Sequence, residues 1–310
     1  MIELTGLTNA LTDTIVNISD SELDFLNLKK GSVYGLRGFD KEKLKSVLKD
    51  KKLEYCAAGS PANAIFNAAC LGLKTSLLGS LGNDEIANNY LKELKKYKIK
   101  PCFGMNDEES GICYIFITPE GERTQMAGLN ASSKFNFDLK SLNKSSMLHT
   151  SLYELNSNPD TFFETIEYAR EIGIRISLDL ADEKMVRNNN LGLENLLNET
   201  QILFATEEEA MALTGYNPLK SLRELSKICP IVSLKLGKRG SIVRSKGEEI
   251  KIPIYKTKVI NTCGAGDSYA AGFLFSYIKG FNSQECGRMG SFIASRVCGS
   301  KNSHLEAKNQ

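Results

Sequence analysis

Strand-like and helix-like segments alternate along most of this chain, and this order constrains its fold more than any other feature. The segment Asp160 to Ile172 has helical spacing and stops at Gly173, and an alternating strand pattern follows from Ile174 to Leu178. The same order recurs where the helical segment Leu219 to Ile228 precedes the strand-like segment Ile231 to Leu236. Parallel strands need a crossover connection, which is usually a helix. The repetition therefore predicts an α/β fold with a largely parallel sheet and helices on both faces.

Two regions depart from this rhythm and predict a small β element. The segment Thr12 to Leu36 is polar and weakly patterned, whereas Cys113 to Thr118 and Gln125 to Leu129 flank the turn Pro119-Glu120-Gly121-Glu122 and are typical of a β-hairpin. We expect residues of about 12–36 and 113–132 to form this element, inserted in a single domain of residues 1–310. Further helices are expected over Ser60 to Leu71, Glu85 to Tyr97 and Glu207 to Leu213, and a strand over Thr75 to Leu78.

Charge and cysteine content argue against several classes of function. The 310 residues carry 39 basic and 37 acidic side chains, a formal net charge of +2. These charges are spread along the chain, so neither a nucleic-acid nor a membrane-binding surface is expected. The eight cysteines include no Cys-x-x-Cys pair, which favours small buried apolar groups in a reducing compartment. The sequence shows no secretory signal and no apolar run that is long enough to span a bilayer, so a cytoplasmic protein is expected.

The segment Asn261 to Ser268, Asn-Thr-Cys-Gly-Ala-Gly-Asp-Ser, carries the clearest chemical signal. A strand-like stretch from Ile250 to Ile254 precedes it, and the apolar run Tyr269 to Ile278 follows. A strand that enters a Gly-x-Gly turn before a helix points free backbone N–H groups at one spot, at the positive end of the helix dipole. Asp267 places a carboxylate beside this anion site. Phosphoryl transfer to a hydroxyl needs such a base and anion hole, although the motif alone is more often a turn and helix cap.

A second glycine-containing segment, Ala58 to Ala64, opens an Ala-rich helix. Gly59 lets the backbone approach a ligand closely, and the amide of Asn63 can reach a sugar hydroxyl from the first helical turn. The simpler interpretation of this segment alone is that Ser60 is the N-cap, that Pro61 is the first helical residue and that Asn63 is exposed.

Taken together and in this order, these segments resemble the ribokinase-like carbohydrate kinases (the PfkB group), and within them the adenosine-kinase-like branch. The matching pieces are Asn9–Asp13, the Gly59 loop, Gly72, Gly82, Pro119–Thr124, Leu129–Ser132, Thr206–Leu213, Leu236–Gly240 and Gly264–Asp267. The resemblance covers nearly the whole chain. It implies a ribokinase-like three-layer domain with a mostly parallel central sheet and a small β lid. It also implies transfer of the γ-phosphate of ATP to a primary hydroxyl, with Mg²⁺ as cofactor.

The resemblance assigns roles to individual residues. The catalytic base would be Asp267, beside an anion hole formed by Gly264, Ala265 and Gly266. The acceptor would be bound by Asn9, Asp13, Gly59, Ser60 and Asn63, with Arg123 reaching across from the lid. The ATP site would be formed by Lys235, Gly237 and Gly240, and magnesium would be organised by Glu209, through water.

Five positions depart from the family pattern, among them Ala58 in place of the commoner Gly and Ile65 where a small residue is usual. The family usually has Asp at the position of Asn261, which puts a monovalent-cation site in doubt. Thr206 stands where the acidic magnesium motif normally begins with Asn, and Asn130 replaces a glycine near the lid. None of these changes removes Asp267 or the anion hole.

Two classes of function are consistent with these residues. The first is an ATP-dependent kinase for a nucleoside, with a ketohexose or a 2-keto-3-deoxy sugar acid as the alternative acceptor. The second is a sugar or nucleotide sensor that kept the fold and lost turnover. The intact Asp267 argues against the sensor, because a sensor has no use for a base. No partner is expected other than the small-molecule substrate and, through the lid, a second copy of the chain.

The lid must exclude water from the acceptor, and this requirement predicts its inner face. Apolar side chains are needed there, and the candidates are Ile115, Ile117, Met126 and Leu129. Such a layer has one covered face and open edges, so it should either stay mobile or pair with a second copy as a homodimer.

Overall fold

Two β-sheets form the framework of the described residues, which are 1–188 and 193–307 of a computed structural model. The predicted domain end at residue 310 therefore lies outside the described residues. In chain order the strands are β1 Leu4–Leu7, β2 Leu11–Asn17, β3 Val33–Gly35, β4 Glu54–Ala58, β5 Thr75–Gly82, β6 Lys100–Asn106, β7 Gly111–Ile117, β8 Arg123–Gly128, β9 Met147–Ser151, β10 Arg175–Asp179, β11 Thr200–Thr206, β12 Ile231–Lys235, β13 Ser241–Ser245 and β14 Glu248–Ile252.

The large sheet has nine strands in the order β14-β13-β12-β11-β10-β9-β1-β5-β6. All neighbouring pairs from β6 to β12 are parallel, and β12, β13 and β14 form an antiparallel edge. The prediction of a largely parallel sheet is confirmed. Strand β14 ends at Ile252, so the prediction of strand character at Ile254 is wrong. The physical reason is Pro253, which has no N–H group to continue the ladder.

Helices cover both faces of the large sheet and give it three layers. In chain order they are α1 Asp20–Phe25, α2 Lys41–Leu48, α3 Ser60–Cys70, α4 Glu85–Lys96, α5 Leu152–Ser157, α6 Pro159–Glu171, α7 Glu183–Asn188, α8 Leu193–Asn198, α9 Glu207–Thr214, α10 Pro218–Leu225, α11 Ala265–Ile278 and α12 Ser283–Cys298. One core cluster joins α5 to α10 to the sheet, and another joins α3, α4, α11 and α12 to it. The strand β5 between these layers is buried along its whole length. Strands buried on both faces are the mark of an α/β sheet.

The small sheet has five strands in the order β3-β8-β7-β2-β4. Strands β7 and β8 pair as the predicted β-hairpin, and β2 lies parallel to β7. The edge strand β4 was not expected in this sheet from the sequence, because its five residues carry no clear alternation. Helices α1 and α2 cover one face, where Val16, Phe116 and Met126 form a separate core cluster with them.

The strand register corrects one of the four residues predicted on the inner face of the lid. Asp13 pairs with Cys113, and Ile115 and Ile117 follow Cys113 at alternate positions, so these two isoleucines share the face of Asp13. Met126 lies on the opposite face, inside the cluster beneath α1 and α2. Leu129 follows the end of β8 and is 37% exposed. A shift of one residue in register reverses the face of a side chain, and the sequence alone did not fix that register.

The chain passes from the large sheet to the small one through Thr8 to Ala10, and glycines make this crossing narrow. A Cβ atom at Gly59, whose φ is +120°, would lie 2.4 Å from the carbonyl oxygen of Asn9. A Cβ at Gly79 would lie 2.5 Å from the carbonyl oxygen of Thr8. Any larger residue at either position would push the crossing segment away, so the two glycines fix where the sheets meet.

Within residues 1–188 and 193–307, the helices lack the combination of length and apolarity that a membrane span requires.

Candidate active site

The turn before α11 has the geometry of an anion site. Gly264 is the N-cap of α11 with φ +73°, in the left-handed region. A Cβ at this position would lie 2.1 Å from the carbonyl oxygen of Ser303, so only glycine fits. The residues that follow, Ala265 and Gly266, begin the helix at its positive end, and the Ala265 N–H donates to the Thr262 carbonyl at 3.2 Å. The predicted turn and helix start are therefore present, with Asp267 in the first helical turn.

Two side chains of α3 hold the Asp267 carboxylate. The Ser60 hydroxyl donates to Oδ1 at 2.7 Å, and the Asn63 amide donates to Oδ2 at 2.8 Å. The prediction that Ser60 caps α3 is wrong, because Gly59 is the N-cap and makes no side-chain capping bond. Asn63 is 7% exposed, so the expectation of an exposed amide is wrong as well. Both side chains point to a carboxylate more than 200 residues away, a contact that local helix rules do not anticipate.

Burial sets the protonation behaviour of Asp267. Removal from water raises the pKa of its carboxyl to about 6, because burial disfavours the charged form. The hydrogen bonds from Asn63 and Ser60 oppose this rise, since they stabilise the carboxylate. The negative charge of Asp179 raises the pKa further, and the ammonium of Lys235 lowers it. Asp267 is therefore a carboxylate near neutral pH that still accepts a proton readily.

Lys235 lies beside the anion turn, at the carboxyl end of β12. A Cβ at Gly266 would be 3.4 Å from its Nζ. The ammonium donates to both carboxylate oxygens of Asp179, at 2.9 and 2.7 Å. Burial alone would lower the pKa of Lys235, but the charges of Asp179 and Glu209 outweigh it and raise that pKa. The charged ammonium is therefore fixed next to Gly266.

Asp179 was not identified from the sequence, although a signal was available. It is the last residue of β10, a buried parallel strand next to β11, and Lys235 ends the neighbouring strand β12. Carboxyl ends of parallel strands meet at one edge of the sheet, where ligands bind in α/β folds. An Asp at the end of a predicted strand therefore belongs among the candidate site residues.

Glu209 lies in the first turn of α9 and is part of a capping box with Thr206. The Glu209 carboxylate accepts from the Thr206 backbone N–H at 2.8 Å, and the Thr206 hydroxyl accepts from the Glu209 N–H at 3.3 Å. Thr206 thus serves as an N-cap in place of the Asn that is usual in the family. Burial raises the pKa of Glu209, against the opposing charge of Lys235. This buried carboxylate interacts electrostatically with Lys235 and Asp179.

The turn after β12 contains both glycines of the expected ATP site. Gly237 has φ +56°, and a Cβ there would meet nothing within 4 Å, so this turn is open. Gly240 has a packing role, since a Cβ there would lie 2.0 Å from the Ile252 carbonyl oxygen. Arg239 between them forms an ion pair with Glu207. A cavity of about 460 Å³ adjoins this turn through Leu236, Arg239 and Ser241.

Asp13 lies on the uncovered face of the small sheet, between two thiols. It pairs with Cys113 on β7 and with Cys56 on β4, and all three side chains share one face. Burial raises the pKa of the Asp13 carboxyl to about 7. No hydrogen bond or ion pair to this carboxylate is found among the described residues. A half-buried carboxylate without a protein partner is suited to bind the hydroxyls of a ligand.

The side chain of Asn9 is held by the protein. Its amide nitrogen donates to the Tyr153 carbonyl at 3.3 Å, and its amide oxygen accepts from the Ser157 hydroxyl at 2.9 Å. Its backbone N–H donates to Glu154, a 1% exposed carboxylate, at 3.0 Å. These bonds fasten the crossing segment to α5, so Asn9 acts on the site by fixing that segment. Glu154 was not identified from the sequence, because an acidic residue in the first turn of a helix is usually exposed.

Arg123 connects the small sheet to the anion turn. Its guanidinium donates to the side-chain oxygen of Asn261 at 2.7 Å, and the backbone N–H of Cys263 donates to the same oxygen at 3.0 Å. The Asn261 amide in turn donates to the carbonyl of Lys301 at 3.0 Å. Asn261 therefore joins three segments by hydrogen bonds at the position where the family usually has Asp.

The arrangement of a helix-start anion site, a hydrogen-bonded carboxylate in the first helical turn and a carboxyl edge of a parallel sheet belongs to the class of small-molecule kinases. The chain belongs to the pfkB family of carbohydrate kinases, since the model of that family matches residues 26–308. It is thus a carbohydrate or nucleoside kinase with a ribokinase-like fold.

Individual relatives agree with this assignment. An uncharacterized sugar kinase of Archaeoglobus fulgidus is 28% identical over 240 residues, which cover 73% of this chain and 92% of that protein. A nucleoside kinase of Methanocaldococcus jannaschii is 26% identical over 246 residues, which cover 78% of this chain and 79% of that protein. The crystal structure of adenosine kinase from Sinorhizobium meliloti has a TM-score of 0.85 at 22% identity, over 98% of this chain and 96% of that one. The last similarity shows a common fold.

The raised pKa of Asp13 predicts that this carboxylate destabilises the ligand-free protein at neutral and higher pH. Its folded pKa of about 7 lies above the ordinary value of 3.8, so its contribution to stability is full below about pH 4 and is lost as pH rises through 7. Asn cannot ionise, so it does not lose this contribution. The free energy of unfolding of Asp13→Asn, relative to that of the wild type, should therefore be larger at pH 8 than at pH 5. Urea unfolding at both pH values measures this, with Asp24→Asn at an exposed position of α1 as control. A gain that is equal at the two pH values, or smaller at pH 8, would contradict the burial of this charge.

Proposed function

We propose that this kinase transfers the γ-phosphoryl group of ATP to a primary hydroxyl of a nucleoside, with Asp267 as the base. The observation that carries the proposal is the Asp267 carboxylate itself. It is half-buried, aligned from α3 by Ser60 and Asn63, and placed in the first turn of α11 beside the anion turn. An acceptor hydroxyl that reaches Asp267 also faces the backbone N–H groups at the start of α11. The base therefore acts on the acceptor oxygen that attacks the phosphoryl group at the anion turn.

The residues divide the work of phosphoryl transfer. Asp267 takes the proton of the acceptor hydroxyl, and this transfer needs no strong base because the transition state is loose. The N–H groups of the Gly264–Gly266 turn are fixed dipoles, and the Lys235 ammonium is a fixed charge. Both stabilise the equatorial oxygens of the transferred phosphoryl group. Ser60 and Asn63 hold the carboxylate oriented, so positioning accounts for most of the reduction in barrier.

We place ATP next to the anion turn, at the turn that contains Gly237. The Gly237 turn leaves its backbone accessible, and the ammonium of Lys235 is next to Gly266. The cavity of about 460 Å³ beside Leu236 offers apolar walls for the base of a nucleotide. Gly240 supports this site by allowing the turn to pack against Ile252.

The acidic side chains fit a magnesium ion that takes most of its ligands from water and phosphate. Within the described residues, no three His, Cys, Asp or Glu side chains form a metal cage. Magnesium in kinases typically uses one or two carboxylates together with substrate phosphates. Glu209 is the residue that would organise it through water, with Asp179 close by. When bound, the ion neutralises charge on the β- and γ-phosphate oxygens.

The surroundings of Asp13 favour an uncharged acceptor. The two cross-strand neighbours of Asp13 are the thiols Cys56 and Cys113, and Ile115 lies further along the same face. A sugar acid would bring a second carboxylate to this face and would need a cation there. Arg123, the cation near this region, is bonded to Asn261. A nucleoside offers hydroxyls to Asp13 and an apolar base to the thiols, which is why we place it before the sugar acid and the ketohexose.

We also propose that the small sheet is the lid of this site. It carries Asp13, and Arg123 links it to the anion turn. Four segments cross between the sheets, and the crossing at Thr8 to Ala10 is narrow. Closure over the acceptor would exclude water, which otherwise competes as phosphoryl acceptor. The edge strands β3 and β4 give a second copy of the chain a surface for pairing, so a homodimer is part of the proposal.

A coupled assay of ADP release tests the function. The wild type with ATP and Mg²⁺ should phosphorylate neutral nucleosides more efficiently than ketohexoses or 2-keto-3-deoxy sugar acids. Asp267→Asn keeps the shape of the side chain and removes the base, so kcat should fall by about a hundredfold or more. Near-normal kcat in Asp267→Asn would refute the role of this residue. Absence of turnover on the whole panel, with sugar or nucleotide still bound, would indicate the sensor instead.

Hydrogen exchange tests the lid. Peptides of β2, β7 and β8 should become more protected when acceptor and a non-hydrolysable ATP analogue are both present, because closure buries their site-facing side. Peptides of β11, in the middle of the large sheet, serve as an internal control and should not change. Light scattering of the same samples reports the dimer. Equal protection in both states, together with a monomer in solution, would rule out both parts of the lid proposal.

A further inference from the structure

A buried amide on α3 has no role in the chemistry described so far. Asn67 lies one helical turn after Asn63, and its side chain is 0% exposed. Its Nδ2 donates to the carbonyl oxygen of Asn63 at 2.9 Å and to the Ser268 hydroxyl at 3.0 Å. Its Oδ1 accepts from the backbone N–H of Leu305 at 2.9 Å. Burial of an amide costs free energy unless it is hydrogen-bonded, so an apolar side chain would be the ordinary choice in this Ala-rich helix.

Each partner of Asn67 adjoins the reacting groups. Asn63 donates to the Asp267 carboxylate. Ser268 follows Asp267, and its hydroxyl donates to the Gly264 carbonyl at 2.6 Å. The bond from Asn67 to Ser268 thus ties α3 to the first turn of α11. Helix α11 carries the Asp267 carboxylate, and helix α3 carries the side chains that donate hydrogen bonds to it.

The segment Lys301–Leu305 also contacts the anion turn and α3. The Lys301 carbonyl accepts from the Asn261 amide at 3.0 Å, at the start of the anion turn. The Ser303 carbonyl packs so closely on Gly264 that no Cβ fits there. The ring of His304 stacks on Phe66 of α3 with centroids 4.5 Å apart. Leu305 then reaches Asn67, so this segment contacts the anion turn and α3 at once.

We propose that Asn67 is a positioning residue, which locks α3, α11 and the segment Lys301–Leu305 into the register that the Asp267 carboxylate needs. This inference rests on the proposed function, and it concerns a side chain that contacts neither acceptor nor ATP. Loss of the amide would leave the Ser268 hydroxyl and the Leu305 N–H with fewer partners. The first turn of α11 would then be free to shift against α3, and small shifts of reacting groups are costly in rate.

Kinetics of Asn67→Ala test the proposal. We expect kcat to fall about tenfold, with the KM values for acceptor and ATP within about twofold, because the variant leaves the binding surfaces in place. The acid limb of the kcat profile should move to higher pH, since a looser Asn63–Asp267 bond favours the charged carboxylate less. Ser221→Ala is the matched control. Ser221 is also fully buried and bonds to Thr214 and to the Tyr216 carbonyl, but it lies on α10.

A double-mutant cycle separates positioning from general loss of stability. Ser268→Ala removes the other end of the bond, so Asn67→Ala with Ser268→Ala should lower kcat hardly further than either single variant. If Asn67→Ala does not fold, the kcat of Ser268→Ala tests the same bond. Unchanged kcat in folded Asn67→Ala, or a fall in kcat that Ser221→Ala reproduces, would overturn the proposal.

One readout does not depend on turnover. The Ser268 N–H donates to the Gly264 carbonyl at 2.8 Å, and this bond closes the first turn of α11. Its amide exchange should be faster in Asn67→Ala and unchanged in Ser221→Ala. Equal exchange in Asn67→Ala and the wild type would overturn the positioning role. A wild type without kinase activity but with faster exchange in Asn67→Ala would instead contradict the proposed function alone.

Discussion

The hydrogen bonds from Ser60 and Asn63 to Asp267 are the contact on which the rest of this structure depends. They join the start of α3 to the start of α11, two helices that lie on the same face of the large sheet. A carboxylate removed from water is costly unless it is hydrogen-bonded, and these two donors supply the compensation. They also aim it: one donor holds each oxygen, so the carboxylate cannot rotate. The fold therefore delivers an oriented carboxylate in the first turn of α11, at the positive end of that helix.

The charges around this base are balanced within a small volume. Lys235 is bonded to Asp179 and lies next to Gly266, so its positive charge reaches the anion turn without pairing directly with Asp267. Glu209 is buried in the same field; burial raises the pKa of its carboxyl, the charge of Asp179 raises it further, and the charge of Lys235 opposes the rise. Such a site favours the arrival of cationic charge, which is how a phosphate-bound magnesium ion would relieve it. The small sheet adds one more carboxylate, Asp13, whose charge acts together with that of Asp267 on the thiol of Cys263.

Much of the fold was predictable from the sequence because it depends on local periodicity. The alternation of helical and strand-like segments gave the parallel sheet, and the two glycines before Asp267 gave the anion turn. Contacts between distant segments were not predictable in the same way. Ser60 followed the local rule for an N-cap, yet its hydroxyl bonds to Asp267 on a helix 207 positions away. Met126 was placed on the wrong face, since the register of β7 and β8 decides its direction. Asn67 was overlooked because a lone amide in an Ala-rich helix carries no local signal.

The titration of the Asp267 carboxyl tests the central claim most directly. Carbon-13 NMR of the labelled side chain, assigned through loss of the resonance in Asp267→Asn, would follow its ionisation with pH in the ligand-free protein. A carboxylate that is partly removed from water and held by Ser60 and Asn63 should titrate with a pKa of about 6. Removal of one donor in Asn63→Ala should raise that value, because the charged form loses a hydrogen bond. A pKa at the ordinary value of an exposed Asp, near 3.9, that does not move in Asn63→Ala would contradict the account.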